Sequence, residues 1–267
     1  MLDEATIDAL ARAYHAAEKE RRRVRPPSVV HPGFTIDDAY AVQRRWVELK
    51  LAEGNRVRGR KIGLTSRAMQ RQAGIAEPDY GALLADMFYG DGAEIPVARF
   101  IQPRLECELG FVLGRRLKGP GCTIFDVLSA TDYVVPAAEI VDGRTHRVDP
   151  ETDKPRSVLD SIADNAGNAA LVVGGRPIRP LEVDLRWVAA LCYRNNIIEE
   201  SGVAAAVLNH PANGVAWLAD KLAPFDLALE PGQFILSGSF TGTVEARAGD
   251  VFHIDYGPLG SISCRFV

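Results

Sequence analysis

The sequence predicts an α+β fold, a β-rich body preceded by a helical pair. Three observations carry that prediction. Ile7, Leu10 and Tyr14 recur at helical spacing within residues 3 to about 24, and a second helical pattern runs from Thr35 to near Gly54. From Arg60 onward, short apolar runs alternate with Gly, Pro and Asp/Asn turns, the texture of strands. No βαβ rhythm, G-x-G-x-x-G or P-loop appears, so neither a doubly wound sheet nor a nucleotide cofactor is predicted.

The first helix must stop at Pro26, Pro27 and Pro32, because proline clashes with the preceding turn. The second opens at Thr35, with Asp38 three residues on as a capping partner, and turns Ile36, Tyr40, Val47 and Leu51 toward a core. The expected division is a helical segment over 1–58 and a β-domain over 59–267. Within the latter, strands are predicted over 61–65, 106–113, 133–141, 169–173 and 185–193. Asn195-Asn196 should turn a hairpin, since Asn tolerates positive φ. A helix over 211–222 puts Val215, Leu218 and Leu222 on one face, and the tail from Phe234 reads as strand and turn throughout.

Composition narrows the function class. Hydrophobic content of 47% and charged content of 25% are those of an ordinary globular enzyme. A net charge of −4 argues against a nucleic-acid surface. The one dense basic run, Lys19 to Arg25, reads as a solvated helix end favoured by the helix dipole. Four scattered cysteines without a C-x-x-C pair give no zinc site and no disulfide framework, which points to a reducing cytoplasm. No apolar run reaches the length of a membrane span, and the acidic start Met1-Leu2-Asp3-Glu4 lacks a signal segment.

The candidate chemistry begins with Glu106 and Glu108. They lie two apart between Leu105, Cys107 and Leu109, so a strand puts both carboxylates on one face. A divalent cation would relieve their repulsion, with Glu139 as a third oxygen ligand, and oxygen-only donors suit Mg²⁺, Mn²⁺ or Ca²⁺. The bland alternative is a solvated strand face with Arg104 softening the repulsion. Lys61 begins an apolar strand beside Gly63, and Asp79 sits in the turn Glu77-Pro78-Asp79-Tyr80-Gly81. The loop 237–242 offers hydroxyls, Ser239 and Thr241 among them, and backbone N–H groups to an anion. Each has an ordinary reading as well: a strand-edge charge, an Asx turn, a simple loop.

Taken together, K-I-G-L-T-S (61–66), E-P-D-Y-G (77–81), E-x-E (106–108), A-T-D-Y-V-V-P-A-A-E (130–139), L-N-H-P-A-N-G-V-A-W-L (208–218) and G-S-F-T-G (238–242) resemble the fumarylacetoacetate-hydrolase-like superfamily. Within it, the likeness is to the hydratase/decarboxylase branch of aromatic meta-cleavage pathways. The resemblance implies a mixed β-roll behind the helical segment and Mg²⁺, or Mn²⁺, held by Glu106, Glu108 and Glu139. It implies Lys61 and Asp79 as acid–base groups, in either assignment. The expected reaction adds water to a 2-oxo-enoate or 2-hydroxydienoate, first of all a seven-carbon dioate. Hydration of a five-carbon monoacid and decarboxylation of an oxalocrotonate are the alternatives. Hydrolytic C–C cleavage and a non-catalytic, cation-binding subunit are further ones. A dioate needs a second anion site, for which Arg67 and Arg144 are candidates alongside Arg71 and Arg156. The partners implied are a small 2-oxo acid and further copies of the chain, as an oligomer of dimers such as a decamer.

Overall fold

The structure is a computed structural model describing residues 1–267. Its helices are α1 (Glu4–Glu20), α2 (Pro27–Val30), α3 (Ile36–Ala52), α4 (Arg67–Ala73), α5 (Ile124–Ala130), α6 (Val158–Ala163) and α7 (Pro211–Leu222). The strands up to the E-x-E segment are β1 (Val57–Gly63), β2 (Asp79–Leu84), β3 (Phe88–Gly90), β4 (Ala93–Ile95) and β5 (Arg104–Leu113). Then come β6 (Thr131–Val141), β7 (Asn168–Val173), β8 (Ala189–Arg194) and β9 (Ile197–Val203). The last four are β10 (Phe234–Leu236), β11 (Val244–Glu245), β12 (Val251–Asp255) and β13 (Ser261–Phe266).

Eight strands form one mixed sheet in the order β2-β1-β10-β5-β6-β7-β3, with β11 also paired to β5. Five more form a second sheet in the order β4-β13-β12-β8-β9. The pivot is the long antiparallel pair β5·β6, in which Glu106 lies directly opposite Glu139 and Glu108 opposite Ala137. Alternation along β5 sends Leu105, Cys107, Leu109 and Phe111 into the core, where all four are fully buried. The other face is left for the acids.

The large sheet is strongly coiled. β1 and β6 are three strand steps apart, about 14 Å if the sheet were flat. Yet Lys61 Nζ on β1 reaches within 3.2 Å of Glu139 Oε1 on β6. Right-handed twist, compounded over several strands, wraps the charged face around a concavity. The parallel pair β1·β10 depends on Gly59, where any Cβ would strike the Phe234 backbone carbonyl.

The helical predictions hold closely. Asp3 caps α1, and Thr35 with Asp38 forms the expected capping box on α3. Both helices contribute to the same buried cluster as the sheets, through Ala11, Tyr14, Tyr40, Val42 and Trp46. Gln43 on α3 donates to the carbonyls of Tyr80 (2.9 Å) and Ile162 (2.8 Å), which pins the helix over β2 and α6. The β8–β9 hairpin turns at Asn195 and Asn196, both at positive φ (53° and 67°). Some details differ from expectation. Leu51, expected to face the core, lies on the solvent side of α3 and is 42% exposed. Leu185–Trp187 is a 3₁₀ turn ahead of β8, and Asp79 opens strand β2 instead of sitting in a turn.

Candidate metal and substrate site

Register builds the site before any side chain is considered. Residues opposite one another in an antiparallel pair share a face, so Glu106 and Glu139 project together, and alternation adds Glu108. One carboxylate oxygen from each of the three can be chosen so that all lie within 4.8 Å of one another. Glu108 and Glu139 are fully buried, while Glu106 is half-buried. Lys61 and Asp79 arrive from β1 and β2, where Lys61 pairs with Gly81 and Gly63 with Asp79. Gly63 is required there, because a Cβ would collide with Asp79 Oδ1.

Fixed donors hold the acids in place. Gly238 N–H donates to Glu108 Oε2 (2.9 Å), and Asn168 Nδ2 to Glu139 Oε1 (2.8 Å). Lys61 Nζ donates to the Ala166 carbonyl (3.2 Å) while facing Glu139. Even so, Asp79 Oδ1, Glu108 Oε1 and Glu139 Oε2 are buried with no hydrogen-bond partner. Buried carboxylate oxygens are rarely left so. Four carboxylates thus face one lysine.

The electrostatic consequence is visible in the titrating groups. Burial, followed by the Glu139 charge, pushes Glu106 up to about 7, and Glu108 is raised further in the same direction by the same two causes. Burial lifts Asp79 to about 6 against the opposing pull of Lys61. Burial works to lower Lys61, but Glu139, Asp79, Glu108 and Glu106 overcome it and hold the ammonium charged. An oxygen-only donor set with orphaned oxygens and surplus negative charge fits a hard divalent cation.

The other predicted residues are placed differently. Ser239 Oγ donates to the Thr241 carbonyl (2.9 Å), and Thr241 Oγ1 accepts from Cys107 N–H (3.0 Å). The loop therefore reaches the acids through the backbone of Gly238, and these two hydroxyls brace it against β5. Arg67 is exposed at the start of α4, two residues beyond Thr65, which packs against Gly238. Arg144 is buried and committed. Its Nε and backbone N–H both donate to the Asp164 carboxylate, and Nη2 donates to the carbonyls of Asp164 (2.8 Å) and Asn168 (3.3 Å). Its guanidinium also lies 5.1 Å from the Trp46 ring centroid. No donor pair is left for a ligand carboxylate, so the expectation for Arg144 as a substrate contact is corrected to a brace beneath the Asn168 segment. Arg144→Gln should lower unfolding free energy by about 3–5 kcal/mol, since it strands the buried Asp164 charge. Urea denaturation checks this, and a loss below about 1 kcal/mol would contradict the bracing role.

Backbone N–H groups of the 237–242 loop were expected to meet an anion, and Gly238 N–H meets the Glu108 carboxylate. Sequence reasoning missed Asn168 and the Ala166 carbonyl as site groups. A signal was present in Asp164-Asn165-Ala166-Gly167-Asn168, a run of turn formers. Asn165, Ala166 and Gly167 all adopt positive φ. Asn165 then clamps the loop to β2 by exchanging side-chain hydrogen bonds with the Ala82 backbone, 2.7 and 3.0 Å.

The profile of the fumarylacetoacetate (FAA) hydrolase C-terminal family matches residues 55–267. The chain belongs to the fumarylacetoacetate hydrolase family. This family member is 62% identical over 267 residues to 2-oxo-hept-4-ene-1,7-dioate hydratase of Escherichia coli, with 100% of each chain covered. It is 39% identical to 2-keto-4-pentenoate hydratase of Paraburkholderia xenovorans, over 96% of this chain and 93% of the other. Among solved structures it superposes on 4-oxalocrotonate decarboxylase from Pseudomonas putida G7, complexed with magnesium and adipate. That match has a TM-score of 0.94 and 36% identity, covering 100% of this chain and 99% of that one.

Proposed function

We propose that this protein is a divalent-metal-dependent hydratase. It adds water to 2-oxo-hept-4-ene-1,7-dioate, or the 2-hydroxydienoate in equilibrium with it, and yields a 4-hydroxy-2-oxo acid. The observation that carries the reading is the three-glutamate cluster, in which buried Glu108 and Glu139 each leave an oxygen unsatisfied, in a chain 62% identical over its full length to a hydratase of that substrate. Glu106, Glu108 and Glu139 are the residues that hold Mg²⁺, with Mn²⁺ as a substitute. When bound, the cation supplies Lewis acidity toward the carboxylate and keto oxygens of a 2-oxo acid.

The chain's own groups divide the proton work. Asp79, buried and lifted to about 6, is poised as the base that takes a proton from the water adding at C4. The 2-hydroxydienoate first loses its hydroxyl proton and gains one at C5, giving the conjugated 3-ene. After water adds at C4, Lys61, held charged and facing the charge that develops on the C2 oxygen, can return a proton to C3. Gly238 N–H fixes Glu108, while Asn168 and Lys61 share Oε1 of Glu139 and so hold that carboxylate in place. No helix is long and apolar enough to cross a membrane. The proposal includes assembly from dimers in a reducing cytoplasm, in keeping with four free cysteines.

The test is incubation of the purified protein with Mg²⁺ and, separately, the seven-carbon dioate, 2-oxopent-4-enoate and 4-oxalocrotonate. The expected outcome is hydrated product with the highest kcat/KM for the dioate. Carbon dioxide release from oxalocrotonate without hydration of either enoate would sink the hydratase reading in favour of decarboxylation.

A further inference from the structure

We propose that Arg104, Arg147 and Arg156 form the seat for the far carboxylate of a dicarboxylic 2-oxo acid, so that arginines at one end of the glutamate-bearing strand face read substrate length. The inference rests on the function proposed above, because it takes the near carboxylate to lie at the glutamates.

Alternation along β5 puts Arg104 on the same face as Glu106 and Glu108, one repeat beyond Glu106, or about 7 Å further along the strand. Its partner on β6 is Val141, next on that face after Glu139. Two residues past Val141, Gly143 lacks the Cβ that would come within 3.0 Å of Arg156 Nη1, so the guanidinium sits directly over that backbone. Arg156 N–H donates to the Arg147 carbonyl (2.9 Å), which closes a hairpin and holds these two arginines side by side. Arg23, from the basic run that read as a solvated helix end, turns inward and donates to the Gly143 carbonyl (3.4 Å) and Gln102 Oε1 (3.0 Å). Arg147 is exposed, and its guanidinium is lowered by what burial it has and then by Arg104, Arg156 and Arg23, which places the four charges near one another.

No carboxylate closes an ion pair on these three arginines, although Glu245 and Asp164 lie near enough to feel Arg104 and Arg156. Neighbouring Arg25, Arg144 and Arg247 each pair with a carboxylate. Arg104, Arg147 and Arg156 form no ion pair and no side-chain hydrogen bond. Glu245 lies opposite Arg104 across the strands but is already held by Arg247 (2.9 Å) and Gln102 (3.3 Å). Like charges gathered without a partner raise the energy of the free protein, and a bound anion lowers it. Guanidinium forks match carboxylates in particular. The row from glutamates to arginines therefore presents cation-binding oxygens at one end and carboxylate-binding donors at the other.

The experiment compares wild type, the Arg104→Gln/Arg156→Gln double variant and Arg156→Lys, all Mg²⁺-loaded. Calorimetric affinities are measured for the saturated seven-carbon 2-oxo dicarboxylate and for 2-oxopentanoate, together with kcat/KM for the corresponding enoates. The double variant should bind the dicarboxylate about 10- to 100-fold more weakly, the scale of a lost charged hydrogen-bond pair, and the dioate-to-monoacid ratio should fall by at least about tenfold. Arg156→Lys should recover part of that ratio. A ratio in the double variant within about twofold of wild type would overturn the proposal. If wild type binds the dicarboxylate in this arginine-dependent way but hydrates neither enoate, the reaction reading fails and the subsite stands. If both enoates are hydrated with an unmoved ratio, the reverse holds.

Discussion

Glu108→Gln is expected to raise the melting temperature of the metal-free protein while abolishing the stabilisation that Mg²⁺ confers. The two effects have one cause. In the metal-free chain Glu108 is a fully buried carboxylate with one oxygen on Gly238 N–H and the other unsatisfied, close to Glu106 and Glu139. Removing its charge relieves repulsion that burial has amplified, worth about 1–3 kcal/mol or several degrees for a chain of this size. The same substitution takes away a cation ligand, so kcat/KM should fall by about 10³-fold. Saturating Mg²⁺, at 100 times its Kd, should add about 2.7 kcal/mol of stability to wild type and almost none to the variant.

A pH dependence follows from the same groups. Glu106 titrates near 4.5 when unfolded and near 7 when folded, so the native state holds its proton more tightly. That preference contributes stability in full below about pH 4.5 and loses it as the pH rises through 7. Glu108 is shifted the same way. Metal-free wild type should therefore melt progressively lower between pH 5 and about pH 8, and Glu108→Gln should flatten that decline. Thermal scans with and without a chelator would reveal it. A variant that melts lower than wild type without metal would contradict the electrostatic account.

Asp79→Asn carries the second large effect. The side chain opens β2 and is seated against Gly63, with a buried Oδ1 that nothing in the protein satisfies. Asn preserves the shape and removes the base, so kcat should drop by about 10²- to 10⁴-fold, the usual contribution of a positioned general base. Mg²⁺ should still raise the melting temperature, because the three glutamates are intact. Steady-state kinetics and a thermal-shift titration on one preparation separate the two roles. A variant keeping more than about a tenth of wild-type kcat would remove Asp79 from the chemistry.

Much of this site was legible because strand alternation is a strict rule. Leu105, Cys107 and Leu109 against Glu106 and Glu108 defined both faces of β5 before any coordinates, and Thr35 with Asp38 announced the start of α3. What sequence could not carry was register and curvature. Glu139 meets Glu106 because β5 and β6 pair in one particular register, and Lys61 meets Glu139 because the sheet coils through three strand steps. The contributions of Gly238 and Ala166 come from backbone atoms, whose aim depends on loop conformation more than on residue type. Arg144 misled for a related reason. An arginine's suitability for carboxylates is visible in sequence, but the carboxylate it has already found, Asp164, is not.

The central claim is that Glu106, Glu108 and Glu139 together hold one divalent cation. Anomalous diffraction from crystals soaked in Mn²⁺ tests it most directly, because the scatterer is located without reference to activity. The expected result is a single dominant peak with one oxygen from each glutamate at about 2.1 Å. A dominant peak elsewhere, or one contacting only the half-buried Glu106, would contradict the account.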